Sequence, residues 1–418
     1  MLRKSPMGWN SWDCYGAAVT EEIVKKNADF MAKNLLKFGY EYIVVDIQWS
    51  EPNASNNEYH PFTRLCMDEY SRLIPAENRF PSSKDGKGFK PLADYVHSLG
   101  LKFGIHIMRG IPRQAVHDNT PIKGTTKTAR DIAKTASICA WNSDMYGVDP
   151  DKEGAREYYE SLFELYASWD VDFIKCDDIC RELPHEESEL VLLSSSLRNC
   201  GREMVLSLSP GPALLEKAEL YKQVADMWRI TDDFWDEWRL LYSMFERAEK
   251  WCTHTGNGHY PDADMLPVGA IRQVYGEDNT TNFTEDEQIT MLSLWCVFRA
   301  PLIIGGEMNK FDEFTMKLLT NEGILDMHSD IRHSHQVFRK EIDNKEHILW
   351  TGVSVKGGQY LALFNTSDSD SNVSLPLSEA EIYEPVSGRE LWSDTPFTDV
   401  TELNFFIPAH GAKVFYIK

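Results

Sequence analysis

Two pairs of neighbouring aspartates, Asp177 with Asp178 and Asp232 with Asp233, each follow a short apolar run. Such runs are typical of buried strands, and in a parallel β/α barrel the carboxyl ends of the strands converge on one open mouth. Two carboxylates brought to that mouth by different strands are the groups that hydrolysis of a glycosidic bond requires. The sequence therefore favours a barrel with a two-carboxylate active site.

The residues before each aspartate indicate separate roles. A retaining glycosidase needs one carboxylate that stays ionised and attacks the anomeric carbon, and a second that exchanges a proton with the leaving oxygen. Because strand side chains alternate, Lys175 shares a face with Asp177, where a cation would keep the carboxylate ionised. By the same alternation Arg229, Thr231 and Asp233 share a face. We predict Asp177 as the nucleophile and Asp233 as the general acid and base.

Other interpretations of these residues stay open. An aspartate at a strand end can instead cap the next helix by accepting hydrogen bonds from its first amides. Trp9 and Trp12 stand among small polar residues, which suits a stacking platform for a sugar and also suits a core. Arg109 and Arg113 follow the third apolar run, and they are interpreted either as recognising an acidic or extended aglycone or as pairing with surface acids.

Strand-like and helix-like segments alternate along the first part of the chain. The strand-like runs lie at residues 7–12, 40–49, 101–108, 171–178, 204–209, 227–233, 265–268 (a weak one) and 301–305. The helix-like segments lie at residues 20–37, 89–98, 154–168, 186–199, 234–250, 284–299 and 311–319. Repeated strand, helix, strand connections indicate a parallel sheet, and eight of them favour closure into a (β/α)8 TIM barrel.

The pattern changes after about residue 330 to short alternating runs separated by turn residues, which is typical of an antiparallel β-sandwich. These runs lie at residues 348–353, 360–365, 381–386 and 412–417. We therefore expect a catalytic barrel over residues 1–330 and a C-terminal β-sandwich over residues 331–418. Two long connections, 50–87 and 109–151, are expected to shape a pocket on the catalytic face.

Composition excludes several classes of partner. The 418 residues carry a formal net charge of −22, whereas nucleic acid and anionic membrane surfaces require clustered Lys and Arg. No apolar stretch reaches about 18 residues, so no transmembrane helix is expected. The eight cysteines form no CxxC pair and are interpreted as reduced. We expect a cytoplasmic protein, or an exported one if a signal peptide was removed; a homodimer is left open.

Seven segments carry a resemblance to a known family. They are PMGWNSW (6–12), VDIQW (45–49), FIKCD (173–177), WRITDD (228–233), HYPDADML (259–266), EQITMLSLW (287–295) and APLIIG (300–305). In this order and spacing they resemble the α-galactosidase and α-N-acetylgalactosaminidase family of retaining glycoside hydrolases, the melibiase-type barrels of glycoside hydrolase family 27. The resemblance implies an exo-α-glycosidase that releases terminal α-galactosyl or α-N-acetylgalactosaminyl units from a glycoside or oligosaccharide, with no metal and no other cofactor.

The resemblance also assigns residues. Asp177 falls on the nucleophile of the family and Asp233 on its acid and base. Residues expected to bind the sugar, by the resemblance and by their place at strand ends, are Trp12, Asp46, Trp49, His106, Lys175, Ser209, Arg229 and Asp264. For Asp264 a purely structural role is an equal alternative.

Two positions depart from the family in ways that bear on the substrate. Where the family has two adjacent aspartates, Asp46 is followed by Ile47, which removes one acceptor for the outer hydroxyls of galactose. An unmatched buried hydroxyl costs about 1–3 kcal/mol. An apolar residue there suits β-L-arabinopyranose, which has the same ring hydroxyls and no hydroxymethyl arm. Ser209 would leave room for a 2-acetamido group and so favours the amino sugar.

Two further classes of protein are considered as alternatives. A metal-dependent barrel hydrolase would need several imidazoles, often as His-x-His on the first strand, where this chain has Trp, Asn and Ser. A noncatalytic carbohydrate-binding barrel would be expected to lack one or both carboxylates, yet Asp177 and Asp233 are both present.

Overall fold

The first part of the chain folds into eight parallel strands, with the barrel mouth at their carboxyl ends. The structure, a computed structural model, describes residues 4–56, 59–181, 183–276 and 278–418, without the side chains of 183–185. The strands are β1 (Met7–Asn10), β2 (Tyr42–Val45), β3 (Lys102–Met108), β4 (Phe173–Asp177), β5 (Val205–Leu208), β6 (Met227–Arg229), β7 (Tyr260–Asp262) and β8 (Leu302–Ile304). They pair in the order β7-β6-β5-β4-β3-β2-β1-β8, and a parallel bridge from Leu266 to Ile304 closes the ring.

A helix follows each strand, which confirms the predicted TIM barrel. The helices are α1 (Glu21–Asn34), α2 (Lys90–Ser98), α3 (Ala155–Ser168), α4 (Leu183–Asn199), α5 (Ala218–Val224), α6 (Trp238–Trp251), α7 (Glu285–Phe298), α8 (Glu313–Leu319) and α9 (Glu322–Asp330). Side chains cap the starts of α7, α8 and α9: at α7, the Thr284 hydroxyl accepts from Glu287 N at 3.2 Å while the Glu287 carboxylate accepts from Thr284 N at 2.9 Å.

Alternation along the strands divides the barrel into an outer and an inner face. Ile43 and Val45 of β2 point outward into the main hydrophobic core between the strands and the helices. The inward residues at the amino ends of the strands form a separate apolar plug of Tyr42, Val44, Phe173, Val205, Met227 and Tyr260. The inward residues nearer the carboxyl ends are polar, so the pleat itself directs chemistry to the mouth.

The long connection between β3 and α3 has structure of its own. It contains a three-stranded antiparallel sheet formed by Ile111–Pro112, Met145–Val148 and Ala133–Ile138, with short helices at Arg113–Asp118 and Ala129–Ile132. The connection therefore forms a folded wall beside the mouth.

The C-terminal part is a β-sandwich. Its strands are β9 (Ile331–Ile342), β10 (Lys345–Ser354), β11 (Gln359–Asn365), β12 (Ser371–Pro376), β13 (Val386–Glu390), β14 (Thr395–Val400), β15 (Glu402–Ile407) and β16 (Ala412–Ile417). A six-stranded sheet in the order β9-β10-β11-β16-β13-β14 packs on the pair β12-β15. Since α9 ends at Asp330 and β9 starts at Ile331, we propose to keep the domain boundary there.

Some sequence predictions differ from the structure. The seventh strand lies at Tyr260–Asp262 and not at residues 265–268, although Leu266 still bridges to β8. The sequence pattern also missed α5, and residues 382–385 form a loop before β13. Within the described part of the chain, no helix combines the length and the apolar character that crossing a bilayer requires.

We predict that the sandwich stabilises the barrel through Phe364. Its ring is fully buried, with the centroid 4.9 Å from that of Phe245 on α6. Phe364→Ala should lower the free energy of unfolding by about 3–5 kcal/mol, because it leaves a cavity in this interface. Phe406→Ala is the matched control, since that ring is 50% exposed and its loss should change the stability by less than about 0.5 kcal/mol. Equal effects of the two variants in denaturant unfolding would contradict the assignment.

Candidate active site

Asp177, the last residue of β4, has a hydrogen-bond partner on each carboxylate oxygen. His106 Nε2 lies 2.7 Å from Oδ2, and the Ser209 hydroxyl donates to Oδ1. The strand register produces both contacts: His106 of β3 and Ser207 of β5 flank Lys175, so Ser209 lies beside Asp177 two residues further on. Asp177 is therefore held in one orientation on the inner face.

The same neighbours hold the Asp177 carboxyl in its ionised form. Burial alone would raise its pKa, but the Lys175 ammonium and the hydrogen bonds from His106 and Ser209 outweigh it, and the pKa lies below its usual value. An ionised, oriented carboxylate is what a nucleophile requires. The partners of the two carboxylate oxygens are the side chains of His106 and Ser209 and not the first amides of a helix, so Asp177 does not act as a helix cap.

Lys175 joins Asp177 to a second buried carboxylate. Lys175 Nζ lies 2.8 Å from Asp46 Oδ2, which also accepts a hydrogen bond from Asn10 Nδ2 at 2.8 Å. Burial would raise the pKa of Asp46, but Lys175 and His106 hold it below its usual value. Asp46 is thus a charged acceptor, and its contact with sugar hydroxyls stays a prediction; Asn10 is a member of this set that sequence reasoning missed.

Asp233 occupies a more open position than Asp177. It lies on the loop after β6, its side chain is 56% exposed, and its Oδ1 lies 3.1 Å from Arg229 Nη2. Its neighbour Asp232 points away and pairs with Arg181 at 2.8 Å, as strand alternation predicted. The residue at the N-cap of α6 is Glu237, so Asp233 does not cap that helix.

Asp264 supports the loop that carries Asp233. Its Oδ1 lies 2.8 Å from Arg229 Nη1, and its Oδ2 accepts a hydrogen bond from Phe234 N at 2.8 Å. Burial raises the pKa of Asp264, and the Arg229 guanidinium opposes that shift. Both oxygens are thus used within the protein, which favours the structural alternative for Asp264: it fixes Arg229, and through it Asp233.

The aromatic residues divide into rim and core. Trp12 is half-buried at the mouth, where its ring stacks on Tyr59 with centroids 6.1 Å apart, and Tyr59 in turn contacts Trp141 at 5.7 Å. Trp9 is fully buried and donates to Gly306 O, so it belongs to the core. Tyr59 and Trp141 come from the two long connections, where the sequence carries no signal that marks them.

The prediction that Trp49 binds the sugar is wrong. Its ring packs against Phe89 and Trp169 in the layer between strands and helices, and its indole N–H donates to His106 O at 2.7 Å. β2 ends at Val45, and Trp49 lies in the same outer core as Ile43 and Val45, on the parity that already points outward. Trp49 therefore supports the strand that carries His106 and does not face the sugar.

An apolar cluster stands next to Asp46. Ile47, Met108, Cys139 and Met145 are buried against one another, and the rim aromatics pack around them. Met108 pairs in register with Asp177. One side of the mouth is therefore apolar at the position where the sequence departs from its family.

The structure contradicts both interpretations of Arg109. Its side chain is 3% exposed and pairs with Asp178 at 2.9 Å and with Glu189 at 3.2 Å. Its Nε also donates to Asp178 O at 2.5 Å, beside Asp177. Arg109 is a buried support of the β4 end, and neither a solvated arginine nor a contact for an aglycone.

One group of side chains among the described residues has metal-binding geometry. Asp94, His97 and Asp170 lie together on the outside of the barrel, before β4 begins, and Lys90 pairs with both aspartates. This group is remote from the carboxyl end of β4, so we connect no step at Asp177 with it.

Comparison with known proteins identifies the family of the chain. The family described as Alpha galactosidase A matches residues 5–151 and 150–330, and its C-terminal β-sandwich domain matches residues 344–417. The chain belongs to the α-galactosidase family, glycoside hydrolase family 27. It is accordingly a glycoside hydrolase.

Individual relatives of this family 27 enzyme differ in substrate. A β-L-arabinopyranosidase from Geobacillus stearothermophilus is 54% identical, with a TM-score of 0.96 and coverage of 100% of this chain and 96% of that one. A candidate α-N-acetylgalactosaminidase from Bacillus halodurans is 50% identical, with a TM-score of 0.87 and coverage of 99% and 97%. Alpha-galactosidase 2 of Arabidopsis thaliana is 26% identical, with coverage of 99% and 89%.

We predict that Ser209→Ala moves the acid limb of the kcat/KM profile to higher pH. The hydroxyl stabilises the Asp177 carboxylate, so its loss raises the pKa of that group, and the nucleophile becomes protonated at a higher pH as the solution is acidified. Ser207→Ala is the matched control: it removes a hydroxyl from the same strand face, two residues away. A Ser209→Ala profile that coincides with that of Ser207→Ala would contradict the role.

Proposed function

We propose that this family 27 enzyme is a retaining β-L-arabinopyranosidase. The observation that carries the proposal is the apolar cluster of Ile47, Met108, Cys139 and Met145 beside Asp46. The hydroxymethyl hydroxyl of galactose would meet this wall without a partner, at a cost of about 1–3 kcal/mol, whereas a pentopyranose presents only a ring methylene there. The likeness to the Geobacillus arabinopyranosidase supports the same substrate.

The reaction proceeds by double displacement. In the first step an oxygen of Asp177 bonds to the anomeric carbon, the glycosidic bond breaks, and Asp233 gives its proton to the departing oxygen. In the second step Asp233 takes a proton from water, the water oxygen bonds to the anomeric carbon, and Asp177 leaves. Two inversions give net retention, and the two carboxyl groups are then expected about 5–5.5 Å apart.

The remaining residues bind the sugar in this proposal. Asp46, held ionised by Lys175, accepts from the ring hydroxyls on one side, and Arg229 donates near the reacting carbon. Trp12 at the rim offers its face to the apolar side of the ring. Contacts of His106 and Ser209 with the sugar stay predictions, since both side chains already bind Asp177.

The second candidate is hydrolysis of α-galactosides or α-N-acetylgalactosaminides. The small side chain of Ser209 favours it, because a 2-acetamido group needs room at that position. The family relatives that bear those names also support it.

A panel of nitrophenyl glycosides separates the two candidates. We expect the enzyme to hydrolyse the β-L-arabinopyranoside with a kcat/KM about 10-fold or more above that for the α-D-galactopyranoside, and higher still relative to the N-acetylgalactosaminide. Asp177→Asn should abolish turnover of every active glycoside, and Asp232→Asn should keep it. A preference for either galactose-type glycoside would overturn the proposed specificity. It would not affect the catalytic role of Asp177, which the Asp177→Asn variant tests separately.

We predict that Ile47→Asp shifts the preference toward α-D-galactopyranoside. The new carboxylate restores an acceptor for the hydroxymethyl hydroxyl and breaks the apolar wall beside it. The ratio of the two kcat/KM values should change by about 10-fold or more. Ile47→Leu is the matched control, because it alters shape without adding an acceptor and should keep the arabinoside preference. An unchanged ratio in the Asp variant would show that selectivity arises elsewhere.

A further inference from the structure

Asp13 is a buried carboxyl group in the wall of the active site that the mechanism has not used. It is the second residue of the short helix Trp12–Tyr15 after β1 and is 3% exposed. Its Oδ2 is pressed against the end of β8, where a Cβ on Gly305 would lie 2.0 Å from it. No described residue donates a hydrogen bond to this oxygen.

The charges that face Asp13 are mainly negative. Asp46, Asp233 and Asp264 act on it from the ends of three other strands, Lys175 opposes them from across the barrel, and the Arg272 guanidinium also interacts with Asp13. The thiol of Cys14 follows it in the chain, and burial raises the pKa of that thiol well above its usual value.

The nearby cations are already bound to other acids. Lys175 pairs with Asp46 at 2.8 Å, and Arg229 pairs with Asp264 and Asp233. Arg272 comes close through its backbone N–H, which donates to Asp13 O at 2.7 Å. Its guanidinium, however, binds both oxygens of Asp236, at 2.6 and 2.8 Å.

An ionised Asp13 would therefore be a buried anion among anions with no hydrogen-bond donor on Oδ2. Burial first, and then the charge of Asp264, raise the pKa of Asp13 well above its usual value. Holding a proton is the arrangement that avoids this repulsion.

We propose that Asp13 is a positioning residue that acts as a neutral carboxylic acid, so that it adds no negative charge near Asp233 while Asp233 loses and regains its proton. The role rests on the proposed mechanism, in which Asp233 becomes an anion after the first step and must be stabilised until water returns the proton. A negative charge on Asp13 would destabilise the Asp233 anion. Ionisation of Asp13 would therefore lower kcat/KM on the alkaline side of the pH profile.

The protonation of Asp13 is tested by stability, independently of any substrate. Asp13 in the unfolded chain loses its proton above a pH of about 3.9, whereas the folded protein keeps it, so wild type takes up a proton on folding. Its stability relative to Asp13→Asn should therefore fall as the pH rises from about 4 to 7, by about tenfold in the folding equilibrium constant per pH unit. The control Asp232→Asn, at an exposed ion pair, should show no such fall.

The catalytic role is tested by the pH profile of kcat/KM on the glycoside that the enzyme hydrolyses best. Asp13→Asn keeps a neutral group of the same shape, so the neutral plateau should stay within about threefold of wild type and the alkaline limb should move to higher pH. An alkaline limb that stays or moves to lower pH would overturn the role beside Asp233. A stability difference that is flat between pH 5 and 7 would overturn the neutral state of Asp13. Neither result depends on which sugar is preferred.

Discussion

The shortage of cations at the mouth of the barrel determines what each carboxyl group does. Lys175 binds Asp46 and acts on Asp177, while Arg229 is shared between Asp233 and Asp264. Charges in a buried site must be paired, because water is not there to screen them. The acids next to Lys175 are therefore kept ionised, and acids farther from it can hold a proton.

Strand register places those cations. Lys175 stands between His106 on β3 and Ser207 on β5. Two residues further on, Asp177 therefore lies between His106 and Ser209, one on each side. The apolar plug at the amino ends of the strands fills the barrel below them and excludes water from the base of the site. A shift of one residue in β4 would turn both Lys175 and Asp177 toward the helices, so the fold and the position of Asp177 depend on the same pairing.

Sequence reasoning reached the parts of this arrangement that depend on local periodicity. Alternation placed Lys175 with Asp177 and separated Asp232 from Asp233. The assignment of Trp49 to the sugar rested on its place after β2 and on the resemblance; alternation would have put it on the outward parity of Ile43 and Val45. Alternation could not reach Tyr59, since only the three-dimensional course of a long connection brings that ring to the mouth.

The proposed chemistry and the proposed specificity consequently lie on different parts of the chain. Asp177 ends a strand and Asp233 follows one closely, and a substitution cannot easily change the register of those strands. The apolar wall combines Ile47 and Met108 from strand ends with Cys139 and Met145 from the long connection after β3. Because that connection folds on its own small sheet, its residues can change while β3 and β4 keep their pairing. The sugar that this enzyme accepts can thus change without moving Asp177.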